Sequence, residues 1–387
     1  MHRHDSEYYI LEAQHGEKWA AEDEGLQKKI AELKKKFGTS PNIIHIMWDD
    51  MALGEVGIPE IQSVRGFSTP NINQVAQDGI NFMRMYTEVA CTPTRAAFQT
   101  GRYAVRSGMH TVAFPIEYSG MDADEVTIAE VLSKAGYMTA FTGKWHLGAA
   151  PDKRPSRRGF ERTVALMDSG ADNWEQRTYL PIYEQANWYA DGERYELPDD
   201  FYSSRFLVDK TIEFIDSNLS DGQPFFAYVP ITIPHAAMHV PAEEAAPWRK
   251  KWPQFEDNIG KYRGPLVKNP VAAFAGMMTR MDRGIGEILD LLKELKIEKN
   301  TVVMFTSDNG PHREGGHDPD FADSNGPLRG IKRSLHDGGI RVPLIAWGPG
   351  RVPAATTSSA IGSFADLLAT FCELAGSGAE VPHDGLS

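Results

Sequence analysis

The chain has 387 residues, 41% of them hydrophobic and 24% charged, an ordinary globular balance with length for one large α/β domain or for one large domain plus a small one. A formal net charge of −13 argues against nucleic acid and against general attraction of polyanions, yet leaves room for a locally positive pocket that takes a small anion. No apolar run approaches the length needed to span a bilayer, which argues against a membrane partner, and two cysteines, Cys91 and Cys372, without CxxC spacing exclude a disulfide framework and a zinc ribbon.

In chain order, residues 1–16 are polar and rich in His and Glu, unlike a secretory signal. The expectation is a cytoplasmic protein, or a periplasmic one if a leader has been removed. Residues 17–37 read as a charged helix with a thin apolar stripe of Trp19, Ile30, Leu33 and Phe37, closed by Gly38. Such a helix packs on a main domain or on a second subunit, so a homo-oligomer remains open. Residues 1–40 are therefore taken as a helical extension and 41–387 as the main domain.

From Pro41 onward strands and helices alternate. Residues 42–48 form a short apolar run ending in Asp49-Asp50. Thr69-Pro70 opens a helix, with Thr as N-cap and Pro at the first helical position. Residues 81–88 read as extended and deliver the chain to Cys91, and Thr127 with Glu130 makes a capping box for a helix closed by Gly136. Strand 137–142 runs into Gly143-Lys144-Trp145-His146. Asp191-Gly192 reads as the tight turn of a hairpin, and the aromatic stretch 174–195 around it as either a pocket wall or core packing. Helix 203–219 precedes a buried strand, 224–229, that leads to Pro234-His235. A long amphipathic helix, 271–295, is followed by strand 301–305, Ser307-Asp308-Asn309-Gly310, strand 341–347 and helix 364–375. This alternation predicts an α/β fold with a mainly parallel, mixed sheet covered by helices on both faces.

One regularity stands out. Asp49, Asp50, His146, His235 and Asp308 all lie just beyond predicted strand ends, the edge where open α/β sheets bind ligands. Asp49, Asp50, Asp308 and Asn309 offer only hard oxygens, which suits calcium or magnesium and disfavours zinc. Either pair alone reads equally well as turn residues after a strand, whereas two pairs at two strand ends favour a metal. Cys91, ahead of Pro93, reads as an activated thiolate or as an inert buried residue. A cysteine-dependent phosphatase needs Arg six positions on, where this chain has Ala97.

Cys91, Pro93 and Arg95, backed by Thr100-Gly101-Arg102, resemble the C-x-P-[ST]-R…T-G-R signature of type I sulfatases, within the alkaline phosphatase superfamily. The likeness continues through Gly143–Gly148, Pro234-His235, Ser307–Gly310 and the stretch from Leu328 through Lys332 to Gly338-Gly339 and Arg341–Pro343. It covers residues 41–387 and implies an alkaline phosphatase-like sulfatase catalytic domain acting as a sulfuric-ester hydrolase on an aryl or other small-molecule sulfate ester. It also implies that Cys91 is oxidised to formylglycine by a formylglycine-generating enzyme. One oxygen of the hydrated aldehyde would then bind the metal and attack sulfur, while the other expels sulfate.

The matching positions imply Asp49, Asp50, Asp308, Asn309 and modified Cys91 around one divalent cation, calcium with magnesium as second choice. Arg95 would orient the diol, Lys144 and Lys332 would bind sulfate oxygens, His146 would act as base, and His235 would protonate the departing alcohol with help from Lys332. Thr94 stands where serine is commonest in the motif, and Asp337 where Glu is usual. The chain ends at Asp384–Ser387, where the family continues into a small antiparallel subdomain, so that subdomain is expected to be missing or cut short. Two rival readings remain: a phosphodiesterase or phosphonate monoester hydrolase of the same superfamily, and a non-catalytic sulfate-ester-binding relative.

Overall fold

The computed structural model describes residues 6–38, 40–113, 119–170, 173–174, 187–218, 222–262, 265–377 and 381–387. It divides into two units, Met1–Ser40 and Pro41–Ser387. Among its described residues the first unit is one helix, α1 (Ser6–Phe37), which reaches eleven residues ahead of the expected start at 17. Residues 6–16 consist largely of sound helix formers such as Glu, Ile, Leu, Ala and Gln, so propensity extends the helix where no apolar stripe announces it. Gly38, at φ 68°, closes it with its amide on the Lys34 carbonyl at 2.8 Å.

The second unit is built on a ten-stranded sheet. Its members are β1 (Asn42–Trp48), β2 (Ile80–Tyr86), β3 (Met138–Lys144), β4 (Arg162–Leu166), β5 (Trp188–Ala190), β6 (Glu193–Arg194), β7 (Phe225–Pro230), β10 (Thr301–Ser307), β11 (Arg341–Trp347) and β12 (Thr356–Ser363). Two short strands, β8 (Ile259–Gly260) and β9 (Val267–Lys268), pair separately. The spatial order is β12-β2-β11-β10-β1-β7-β3-β4-β5-β6, with β11 and β5 running against the rest. The sheet is therefore mixed and mainly parallel, as expected.

Alternation along β1 explains the layering. Ile43 and Met47 face one core, with Phe98, Leu132 and Phe371; Ile44, Ile46 and Trp48 face the other, with Leu207, Met281 and Ile285. The first core is roofed by α4 (Cys91–Thr100), α5 (Ile128–Lys134) and α10 (Asp366–Ala375). The second is roofed by α3 (Pro70–Gln77), α6 (Ser203–Ser217), α7 (Ala242–Lys251) and α8 (Pro270–Glu294). Two shorter helices are α2 (Pro59–Arg65) and α9 (Asp337–Ile340).

The capping box at Thr127 and Glu130 is present, and the Asp191-Gly192 turn joins β5 to β6 with φ of 48° and 91° at its two residues. Residues 175–186 of the aromatic stretch, and Leu219, lie outside the described residues. Thr69 precedes α3 but does not cap it with its side chain; the Asp282 carboxylate, reaching across from α8, takes the amides of Asn71 and Ile72 instead. Burial of Thr69 among Gln62 and Asn73 diverts its hydroxyl into that polar cluster. Strand β12, Thr-Thr-Ser-Ser-Ala-Ile-Gly-Ser, carried too little apolar patterning to be predicted, because it is a largely exposed edge strand.

Candidate active site

Register places the first two groups. Parallel pairing of β1 with β10 sets Trp48 beside Ser307, so Asp49-Asp50 and Asp308-Asn309 leave the sheet side by side. The Asp308 amide bonds the Trp48 carbonyl at 3.1 Å, and the Asp50 amide bonds Asp308 Oδ1 at 3.1 Å. Asp50 holds φ 74°, a left-handed conformation that turns consecutive carboxylates into one pocket. Parallel β3 ends at the same edge with Lys144, and Gly143 lets it approach: a Cβ there would lie 1.9 Å from the Pro230 carbonyl oxygen. Reversed β11 starts at this edge, which brings Lys332 in from the segment before it. Gly310 allows that segment to close, since a Cβ would meet the Gly338 oxygen at 2.0 Å.

The sequence-derived residues meet in this pocket. Cys91, the first residue of α4, donates from Sγ to Asp49 Oδ1 at 3.4 Å. Arg95, one turn on, donates to Asp308 Oδ2 and to the Lys144 carbonyl, both at 2.8 Å. Lys144 Nζ lies 2.7 Å from Asp49 Oδ2, and Lys332 Nζ 2.8 Å from Asp50 Oδ2. His235 Nε2 is 3.7 Å from Asp50 Oδ2. His146 Nε2 faces the Ala113 carbonyl at 2.8 Å, so that nitrogen carries the hydrogen. Its buried Nδ1 has no hydrogen-bond partner among the described residues.

Electrostatics follow from crowding. Burial, then the neighbouring Asp49 charge, pushes Asp308 up to about 6, against the pull of Arg95. Burial also opposes ionisation of Asp50, but Lys332 foremost, then His235 and His312, hold it well below the usual carboxylate range. Lys332 and Lys144 remain firmly protonated: burial works against their charge, and Asp50 and Asp49 respectively outweigh it. Burial, then Lys332, lowers His235 to about 3, and burial, then Lys144, lowers His146 well below its ordinary value. Burial, then Asp308, drives the Cys91 thiol upward, so this cysteine is not a thiolate.

The pocket suits a cation. Ligand atoms of Asp49, Asp50, Cys91 and Asp308 lie within 4.8 Å of one another. Asn309 donates through Nδ2 to Asp50 Oδ1 at 2.6 Å, while its Oδ1 is buried and accepts no hydrogen bond among the described residues. Clustered carboxylates with an unfilled amide oxygen form a hard, all-oxygen donor set, of the kind that takes calcium or magnesium.

Four neighbours were not foreseen. His312 Nε2 is 3.8 Å from Asp50 Oδ2, Glu314 Oε2 is 3.6 Å from His235 Nε2, Arg333 pairs with Glu314, and the Tyr262 ring stands edge-on to His235. Burial opposes ionisation of Glu314, but Lys332 and then His235 hold it down at about 2. The dense polar run His312–His317 directly behind Ser307–Gly310 was the available signal for the first two.

A family model described as Sulfatase matches residues 41–377. The chain is 32% identical over 353 residues to N-acetylgalactosamine-6-sulfatase of Canis lupus familiaris, covering 87% of this chain and 62% of that protein. To arylsulfatase A of Homo sapiens it is 31% identical over 363 residues, covering 87% and 64%. The crystal structure of the PsFucS1 sulfatase from Pseudoalteromonas sp. superposes with a TM-score of 0.73 at 27% identity, covering 92% of this chain and 71% of that one. The chain thus spans about 62% of the length of the first of these relatives.

Proposed function

We propose a reaction for this chain, which belongs to the sulfatase family: hydrolysis of a sulfuric ester to an alcohol and sulfate. The observation that carries it is the meeting of Cys91, the two buried ammonium groups of Lys144 and Lys332, and His235 on one set of carboxylates, with His146 two residues beyond Lys144. Two lysines facing one pocket suit the three non-bridging oxygens of a sulfate ester.

Asp49, Asp50, Asp308 and Asn309, with position 91, would hold one divalent cation, calcium before magnesium. When bound, that cation supplies positive charge beside the nucleophile and the sulfuryl oxygens. Cys91, oxidised to formylglycine by a maturation enzyme, supplies a hydrated aldehyde as nucleophile. Arg95, fixed between Asp308 and the Lys144 carbonyl, orients position 91. Lys144 and Lys332 grip the sulfate oxygens.

The histidine tautomers divide the proton work. His146 carries its hydrogen on Nε2, so the Nδ1 lone pair is available to take a proton. His235 places Nδ1 2.6 Å from the Ala236 carbonyl and turns Nε2 toward Asp50 and Glu314. An anionic ester arriving in the pocket adds negative charge, raises the proton affinity of His235, and equips Nε2 to protonate the departing oxygen beside Lys332.

The test is production of the chain together with the maturation enzyme, loading with calcium, and comparison of kcat/KM on 4-nitrophenyl sulfate and 4-nitrophenyl phosphate. Preference for the sulfate is expected. Preference for the phosphate would overturn the reading in favour of a phosphohydrolase, and ligand binding without turnover in favour of a non-catalytic relative.

A further inference from the structure

Helix α1 has one apolar face, and its two halves carry opposite charge. Counted at about 100° per residue, Tyr8, Trp19, Leu26, Ile30, Leu33 and Phe37 fall within about 40° of one line along the helix. Rings meet along that line: Tyr8 and His15 stand 6.0 and 6.2 Å from Trp19 between centroids. Leu26, on the line, is 51% exposed, and Leu11, at its edge, 38%. Gly16 and Gly25 sit inside the helix, and a Cβ at Gly25 would meet nothing within 4 Å. Glycine is a poor helix former, so about nine turns interrupted by two of them gain their stability from a packed face rather than from propensity.

The charges say what packs there. From Tyr8 to Glu24 the helix carries Glu12, Glu17, Glu22, Asp23 and Glu24 against Lys18. From Gly25 to Phe37 it carries Lys28, Lys29, Lys34, Lys35 and Lys36 against Glu32. The ion pairs inside the helix, Lys18 with Glu22 at 3.6 Å and Lys28 with Glu24 at 2.6 Å, are exposed and lie near its middle, so the ends keep their opposite signs. This segregation selects the orientation of a self-pair. A parallel pair would set Glu22 against Asp23 and Lys34 against Lys36 across the seam. An antiparallel pair centred near Glu24 sets Leu11 against Phe37 and Trp19 beside Ile30, with Glu12 near Lys34 on one flank and Glu22 near Lys29 on the other.

We propose that α1 is a self-association helix, through which two copies of this chain pair antiparallel into a homodimer. The apolar stripe is covered by the same stripe of the second copy, and the acidic half of each helix lies on the basic half of the other. The proposal does not depend on the sulfatase reading. The rival occupant of the stripe, the main domain of the same chain, leaves the protein monomeric.

Sedimentation equilibrium of the full chain at about 10 µM is expected to return twice the 43.0 kDa of one chain. Leu26→Lys with Ile30→Lys should raise the dimer Kd about 100-fold or more, since both copies lose the centre of the seam. Glu12→Lys with Glu22→Lys should raise Kd about tenfold or more, and adding Lys29→Glu with Lys34→Glu to the same chain should bring it back to within about threefold of the wild type. All four charged positions are exposed, and recovery in the fourfold variant shows that the twofold one was not merely misfolded. A monomer at this concentration overturns the proposal. So does a dimer that survives the Leu26 and Ile30 substitutions, which would place the interface elsewhere, and so does a dimer indifferent to the charge reversals, which would make the pair parallel.

Discussion

Lys332 Nζ lies 2.8 Å from the Asp50 carboxylate although 282 residues separate them. Both groups are buried, so each charge depends on the other. Replacing Lys332 with Ala removes a sulfate-binding ammonium, and kcat/KM on 4-nitrophenyl sulfate is expected to fall by about 10²–10³-fold. The same change strands Asp50, at a cost of about 3–5 kcal/mol in urea unfolding of the metal-free protein. Calcium should restore part of that stability. Unaltered kinetics in the variant would remove Lys332 from the reaction.

Asp308 and Asp49 set the response to pH and metal. In the metal-free protein burial and Asp49 lift Asp308 to about 6, above its unfolded value. A raised folded value means stability that is fully present below the unfolded value, about 4, and lost as pH rises through about 6. The contribution of Asp308, read as the difference in metal-free Tm between the wild type and Asp308→Asn, should therefore fall between these two limits, against the rise that the buried neutral His146 and His235 contribute over the same range. Calcium binding should also release protons at pH 5.5 and fewer at pH 8, measured by calorimetry in buffers of different ionisation enthalpy. Equal proton release at both would sink this account. At a calcium concentration about 100-fold above Kd, the protein should gain about 2.7 kcal/mol.

Much of this site was legible because strand ends carry it. The apolar run 42–48 became β1 without a shift, and Asp49, Asp50 and Asp308 stand together because β1 and β10 pair in parallel. Lys144 ends β3 and His146 follows it, at the same edge. Glu314 and Arg333 were not legible: they lie in loop segments with no periodicity, and their importance comes from contacts across the fold. The cap on α3 failed for the same reason. Thr69 has the right chemistry locally, but the group that caps the helix lies more than 200 residues away on α8.

That distant cap gives a stability prediction. Asp282 is buried, takes the Asn71 and Ile72 amides at 3.1 and 2.9 Å, and ties α3 to α8. Asp282→Ala should cost about 1–2 kcal/mol for the lost cap, read from the urea midpoint. Because the hydrogen bonds of Asp282 go to Asn71 and Ile72 on α3 and not to a residue placed at the active site, kcat should hold in the folded fraction. A stability change within about 0.5 kcal/mol would mean that Thr69 or water takes over the cap.

Cys91 separates the two nucleophiles that its sequence allowed. Burial, reinforced by Asp308, raises the thiol despite Lys144 and Lys332, so the unmodified side chain is protonated at neutral pH. The native, unmatured protein should therefore resist iodoacetamide at pH 7.5, and the residue should label only once the fold is opened by denaturant. It should also hydrolyse no 4-nitrophenyl sulfate. Co-expression with the maturation enzyme should convert the thiol to an aldehyde, visible in the mass of the peptide spanning residue 91, and turnover should rise in proportion to that conversion. Fast labelling of the native thiol, or turnover without the aldehyde, would make Cys91 itself the nucleophile. The 3.4 Å contact from Sγ to Asp49 would then belong to thiol chemistry rather than to a cation site awaiting an oxygen at position 91.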